Sequence, residues 1–166
     1  MRVLILGGGG REHALAWKFS QSTRICGLYA APGNAGTAEI ATNLPGVNPL
    51  KSADVIGACR EHRIDLVFVG PEEPLSVGIV DALNAEGIPA IGPRKDAARL
   101  ESSKAFAKQF MVKSGVPTAE YTEFTDFAAF QKFLKKNKKR IVLKKSGLAA
   151  GKDRKSTRLN SSHRIR

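Results

Sequence analysis

The apolar positions come in short, dense runs separated by longer stretches of helical period. Residues 3–6 (VLIL) form an uninterrupted apolar run that reads as a buried strand. The glycines at 7–10 follow, and a helix is predicted from about residue 11 to residue 20. A second strand over 25–30 ends at Pro32, Gly33 and Asn34. Residues 53–62 read as helix, 66–69 as strand, 75–86 as a helix closed by Gly87, and 89–91 as a short strand before Gly92 and Pro93. Strands this apolar, with helices between them, indicate a parallel sheet covered on both faces. The pattern over residues 1–101 is that of a doubly wound α/β domain.

A second unit is expected over residues 102–152. Ser102 or Ser103 caps a helix running to about residue 113, with Gly115 as its stop and Pro117 beyond. A short strand around 121–124, a helix over 126–136, a strand over 140–144 and a turn over 146–151 complete it. Residues 153–166 (DRKSTRLNSSHRIR) break the pattern, with almost no apolar content, no periodicity and five basic residues. Internal repeats are absent.

Composition narrows the possibilities. Hydrophobic residues make up 42% of the chain and charged residues 25%, so a folded core is expected. No apolar run approaches the ~18 residues of a membrane span. The opening MRVLIL is too short for a secretory core, and a cytoplasmic location is the expectation. Cys26 and Cys59 make neither a disulfide framework nor a zinc site. Charge is divided unevenly. Residues 1–131 hold 13 Lys/Arg against 14 Asp/Glu, whereas residues 132–166 hold 14 against one. The net charge of +12 therefore belongs to the last fifth of the chain. It is no argument that the main fold binds nucleic acid. The basic run at 132–145 reads as a solvated helix face followed by a strand.

Strand, glycine turn and helix over residues 3–20 form the arrangement that aims backbone N–H groups and a helix dipole at an anion, usually phosphate. The dinucleotide version is not met. Glu12 or His13 stands where the third glycine of G-x-G-x-x-G belongs, and no acid follows the second strand to hold a ribose. A phosphate-bearing small molecule at Gly8, Gly9 and Gly10 is the remaining expectation. Arg11 suits a phosphate; Glu12 and His13 suit hydroxyls, Glu12 alternatively serves as a cap, and His13 alternatively as local structure. Two further loops fall at strand ends, 32–36 and 70–74. In them Asn34 suits hydrogen bonds to a sugar, and Glu72 suits acceptance from hydroxyls or an amine; taken singly, both loops alternatively read as structural turns. The segment at 147–152 is not a P-loop. Only three residues separate Gly147 from Gly151, and Asp153 follows Lys152 where Ser or Thr should hold magnesium. A small-residue loop after a strand carrying Lys144 remains, suited to covering a nucleotide's phosphates.

Five segments in series resemble a known family: GGGGREHAL (7–15), PGNAGT (32–37), VGPEEP (69–74), SKAFAK (103–108) and GLAAGK (147–152). They resemble the motifs of the phosphoribosylamine–glycine ligases, also called glycinamide ribonucleotide synthetases, of the ATP-grasp superfamily. The resemblance implies a pre-ATP-grasp α/β domain followed by the start of an ATP-grasp domain. It implies ATP-dependent ligation of glycine to 5-phosphoribosylamine through a glycyl phosphate, giving glycinamide ribonucleotide, ADP and phosphate in purine synthesis. ATP with Mg (or Mn) is the implied cofactor set, and small molecules are the implied partners. Gly8, Gly9, Gly10, Arg11, Glu12, His13, Asn34 and Glu72 would line the phosphoribosyl site. Lys104, Lys144, Gly147, Gly151 and Lys152 would serve ATP.

Two departures stand out. The family pattern Lys-Ala-Asp-Gly is here Lys144-Lys145-Ser146-Gly147, which removes an acid, adds a lysine and bears on ATP affinity. After Lys152 the family pattern stops, so most of the ATP-grasp domain and its metal-holding residues are expected to lie outside this sequence. Residues 1–166 alone are then expected to be inactive. The segment DRKSTRLNSSH resembles translated sequencing-adapter read-through; a genuine basic terminus is its other reading. Two further functional readings accompany the ligase: a non-catalytic phosphoribosyl-binding module, and a nucleic-acid binder acting through its basic tail. The last lacks the aromatic stacking platform that single-strand binders use.

Overall fold

The computed structural model describes residues 1–139, 141–148 and 155–156. It divides into two compact units, Met1–Ser102 and Ser103–Arg166. No helix among the described residues is long and apolar enough to cross a membrane.

The first unit runs β1 (Arg2–Gly7), α1 (Gly10–Ser20), β2 (Gly27–Pro32), α2 (Ala35–Ala38), β3 (Thr42–Asn43), α3 (Ser52–Glu61), β4 (Leu66–Val69), α4 (Glu72–Val77), α5 (Ile79–Ala85), β5 (Ala90–Ile91) and α6 (Lys95–Ser102). The five strands are all parallel, in the order β3-β2-β1-β4-β5. β1 is central, and its alternation splits the core between two faces. Val3 and Ile5 pack with Ala16 and Leu28, with Leu15 and Phe19 beside them. Leu4 and Leu6 face the other way, into Val55, Cys59, Ile79, Val80 and Leu83. Val3, Leu4, Ile5 and Leu6 are all fully buried, which is why this strand reads as a solid apolar run. The α/β class expected from the sequence is the one observed.

Three differences from the sequence reading have local causes. The helix predicted over 75–86 is two helices, because Gly78 takes a left-handed conformation (φ +93°) that ends α4 and starts α5. The second strand begins two residues later than expected. Cys26 donates instead to the carbonyl of Met1, outside the ladder. α2, β3 and α6 carry no expectation at all: two or four residues show no period, and α6 buries only Ala98.

The second unit contains α7 (Lys104–Lys113), α8 (Phe127–Lys136), β6 (Val142–Leu143) and β7 (Lys155–Ser156). Ser103, not Ser102, caps α7, its Oγ accepting from the Phe106 N–H at 3.3 Å. Asp126 caps α8 by accepting from the N–H groups of Ala128 and Ala129, at 3.3 and 2.8 Å. The strand expected at 121–124 does not form among the described residues. Phe124 packs instead on the rings of Phe130 and Phe133, with centroids 5.6 and 5.0 Å away. The strand expected over 140–144 is the two-residue β6, and Arg140 lies outside the described residues. Its antiparallel partner is β7, from the segment that the sequence pattern left without any element. The rest of that segment lies outside the described residues.

Candidate functional site

From β1 the chain moves outward through β2 to β3, then returns past β1 to β4 and β5. The loops after β1, β2 and β4 therefore meet at one edge of the sheet, around the point where strand order reverses. That is where open α/β sheets bind ligands. Backbone hydrogen bonds join the three loops at their bases: the Gly33 N–H donates to the Gly7 carbonyl at 3.2 Å, and the Gly70 N–H to that of Leu6 at 3.3 Å.

The β1 turn has room only for glycine at two positions. Gly7 has φ +124°, and a Cβ on Gly8 would stand 2.7 Å from the Gly33 carbonyl oxygen. No side chain caps the start of α1. The Gly9 N–H donates to Glu12 Oε2 at 2.7 Å, so those of Gly10 and Arg11 remain without an acceptor among the described residues. Gly9 has no side chain to return the bond, so this is half of a capping box.

Asn34 ties two loops together. Its Oδ1 accepts the Thr37 N–H at 2.9 Å, capping α2, and its Nδ2 donates to the carbonyls of Gly8 and Gly9 at 3.0 and 3.3 Å. Both ends of the amide thus serve protein groups, and the residue read for a sugar contact is a holder of the glycine turn. Thr37, fully buried, supports it: the Thr37 hydroxyl donates to Asn43 Oδ1 at 2.7 Å, and Asn43 Nδ2 donates to the Asn34 carbonyl at 2.7 Å. Neither Thr37, the last residue of the PGNAGT motif, nor Asn43 was a site candidate in the sequence. The N-x-x-T spacing from Asn34 to Thr37 was the available signal, since it is a capping spacing.

Arg11 reaches across to the β4 loop, with Nη2 3.1 Å from Glu72 Oε1. Both side chains remain accessible, Arg11 at 74% and Glu72 at 35%. The hydrogen bond to Glu72, and then its charge, raise the Arg11 guanidinium above its ordinary value; Glu12 adds to this. Glu72 lies below the ordinary carboxylate value because its own backbone N–H donates to it, with Arg11 second. Because the folded value is the lower one, this contribution to stability is present above the ordinary glutamate value. It is lost as the pH falls through the folded value. Arg11→Ala is expected to move Glu72 upward, read from the NMR titration of its side-chain carboxyl carbon; an unmoved midpoint contradicts the pairing.

Glu12, read as either a ligand contact or a cap, is 5% exposed, turned into the protein and bonded to the Gly9 N–H as the cap reading has it. His13 is half-buried, and its ring fills the space that a Cβ on Gly36 would enter. A groove of about 460 Å³ lies elsewhere, beside β3 and α3, lined by residues that include Leu44, Val47, Asp54, Glu61 and His62; Arg11, Asn34 and Glu72 do not reach it.

In the second unit Lys104 Nζ donates to the carbonyls of Lys145 and Gly147, at 2.9 and 2.6 Å. α7 is thereby tied to the loop after β6, where Gly147 has φ +109° and Lys144 is exposed. Gly151 and Lys152 lie outside the described residues. Among the described residues no three His, Cys, Asp or Glu side chains gather as a metal site.

A parallel sheet with a glycine turn at its reversal point places the first unit among the doubly wound α/β domains, and a second unit follows it in the chain. Two family models match in series: "Phosphoribosylglycinamide synthetase, N domain" over residues 1–101, and "Phosphoribosylglycinamide synthetase, ATP-grasp (A) domain" over residues 102–162. The chain belongs to the phosphoribosylglycinamide synthetase family, as its five motifs indicated. The second match runs ten residues past Lys152, into the segment that the sequence pattern set apart. The phosphoribosylamine–glycine ligase of Rhizobium meliloti is 49% identical over 152 residues, which cover 92% of this chain and 36% of that protein. The trifunctional purine biosynthetic protein adenosine-3 of Gallus gallus is 49% identical over 153 residues, 91% of this chain and 15% of that one. The crystal structure of the Thermotoga maritima phosphoribosylamine–glycine ligase superposes with a TM-score of 0.71 at 33% identity, covering 94% of this chain and 36% of that one. A biotin carboxylase domain from Hydrogenobacter thermophilus shares the fold, with a TM-score of 0.73 at 19% identity. The chain spans about a third of the length of the curated ligases it matches.

Proposed function

We propose that this chain is the N-terminal part of a ligase that joins glycine to 5-phosphoribosylamine, giving glycinamide ribonucleotide, ADP and phosphate. The observation that carries this reading is the family match in series over both units. The site supports it. The free N–H groups of Gly10 and Arg11, with the guanidinium of Arg11, form a cradle for the substrate's phosphate. Gly8 and Gly9 allow close approach, Glu72 accepts from the sugar hydroxyls or the amine, and Asn34 and His13 keep the surrounding loops in place. Lys104 and Lys144 are point charges suited to the phosphates of ATP, and Gly147, Gly151 and Lys152 are assigned to the same nucleotide. ATP, when bound with magnesium or manganese, supplies the phosphoryl group that activates the glycine carboxylate. Among the described residues none is assigned to the cation. The partners are small molecules, and a cytoplasmic location belongs to the same proposal.

The test is a chimera in which residues 1–152 replace the matching segment of the Rhizobium meliloti ligase. It is expected to form ADP only when glycine and phosphoribosylamine are both present, while the 166-residue chain alone forms none. A folded chimera without activity, or turnover by the chain alone, overturns the reading. The chain alone is expected to bind ribose 5-phosphate saturably. Arg11→Ala should weaken that binding about tenfold, the order expected for a charge-assisted hydrogen bond.

A further inference from the structure

Glu12 is the third residue of α1, where a glutamate ordinarily lies on the surface and reaches back to the cap. Here it does reach back, to the Gly9 N–H, yet it is 5% exposed. The reason is that glycines on two different loops make way for it. A Cβ on Gly7 would stand 2.7 Å from Glu12 Cγ, and one on Gly9 would stand 2.8 Å from Oε2. On the far side, a Cβ on Gly70, in the β4 loop, would stand 2.5 Å from Oε1 and 2.9 Å from Cγ. Gly70 is not among the residues with positive φ, so its φ does not exclude a side chain. What excludes one is the volume of Glu12. The side chain therefore fills the gap between the β1 turn and the β4 loop, the two loops that Arg11 and Glu72 bridge at the surface above it.

From this geometry we infer that Glu12 is a positioning residue, a buried strut that sets the spacing between the glycine turn and the Gly70 loop. It thereby holds the α1 N–H groups and Arg11 in register with Glu72 for the phosphoribosyl substrate. The inference rests on the function proposed above. Direct ligand contact does not account for the residue, because a side chain this deeply buried presents almost no surface and its Oε2 already accepts from Gly9. The neighbouring His13 does the same toward α2, where its ring occupies the space over Gly36. The first turn of α1 is thus wedged between the β4 loop and α2, with a glycine opposite each side chain.

The experiment is a double-mutant cycle in the 166-residue chain, using Glu12→Ala, Gly70→Ala and the pair, with Glu12→Gln as the conservative variant. Two quantities are read: ribose 5-phosphate affinity by calorimetry and the thermal midpoint. Glu12→Ala is expected to weaken binding on the order of tenfold, through misplacement of the cradle. Gly70→Ala should do the same and lower the midpoint, because its methyl displaces the carboxyl group. The pair should be no worse than either single change, since the methyl enters the space that Glu12 vacates. Glu12→Gln should restore both quantities, its amide having the same shape and an oxygen for the Gly9 N–H. In the chimeric ligase, Glu12→Ala should raise KM for phosphoribosylamine and leave KM for ATP and glycine unchanged. Additive effects at 12 and 70 overturn the strut. So does a Glu12→Gln variant with normal midpoint but binding as weak as Glu12→Ala, which would mark direct contact with ligand. If the unaltered chain does not bind ribose 5-phosphate, the coupling of the midpoints decides the strut, and the chimera decides the proposed function.

Discussion

Leu4→Ala is expected to lower the unfolding free energy of the first unit by about 3 kcal/mol, within the range for burying and then deleting a leucine side chain. Leu4 is fully buried in the central strand, and its side chain enters the cluster of Val55, Ile79, Val80 and Leu83. Its backbone is held in register between Tyr29 and Val67 on the neighbouring strands, so the sheet cannot close over the void. Urea denaturation followed by circular dichroism measures the effect as a lower midpoint with an unchanged slope. A loss below about 1 kcal/mol would mean that the site relaxes, contrary to the packing described here. Val77, half exposed on α4, provides the contrast: Val77→Ala should change stability by less than about 0.5 kcal/mol.

Asn34→Ala is expected to cost about 2 kcal/mol and to weaken ribose 5-phosphate binding on the order of tenfold. The change removes the cap of α2 and both donors to the Gly8 and Gly9 carbonyls. Asn34→Asp separates the two roles. Aspartate can still accept the Thr37 N–H, but it offers no donor to the glycine turn and adds a negative charge beside a phosphate site. It should retain most of the stability and lose most of the binding. Equal binding by Asn34→Asp and the unaltered chain would show that the turn does not need its tie to Asn34.

The strands show how much was legible and why. β4 was read to the residue, because four consecutive apolar positions buried from both faces leave a dense signal. The cap of α7 was legible to within one residue, Ser102 or Ser103, since capping acts over three residues, whereas Asp126 was read as the first residue of its helix and is its cap. Arg11 and Glu72 were both candidates in the sequence, but nothing in it pairs them. They lie 61 positions apart and meet only because β1 and β4 are neighbours. Glu12 shows the limit most directly. Its position in the first helical turn suited either a ligand contact or a cap. The distinction depends on Gly70, a residue on another strand's loop.

What the sequence determined by itself is what is encoded over a few residues. That covers the apolar runs that must be buried, the glycines and caps that punctuate them, and the five motifs that mark the family. The tertiary structure alone decided which loops face one another, that Asn34 holds the turn, and that Glu12 fills the gap between two loops. The physical reason is range. Burial pattern and capping are properties of adjacent residues, whereas a site at a sheet's reversal point is assembled from segments whose proximity exists only after the strands have paired.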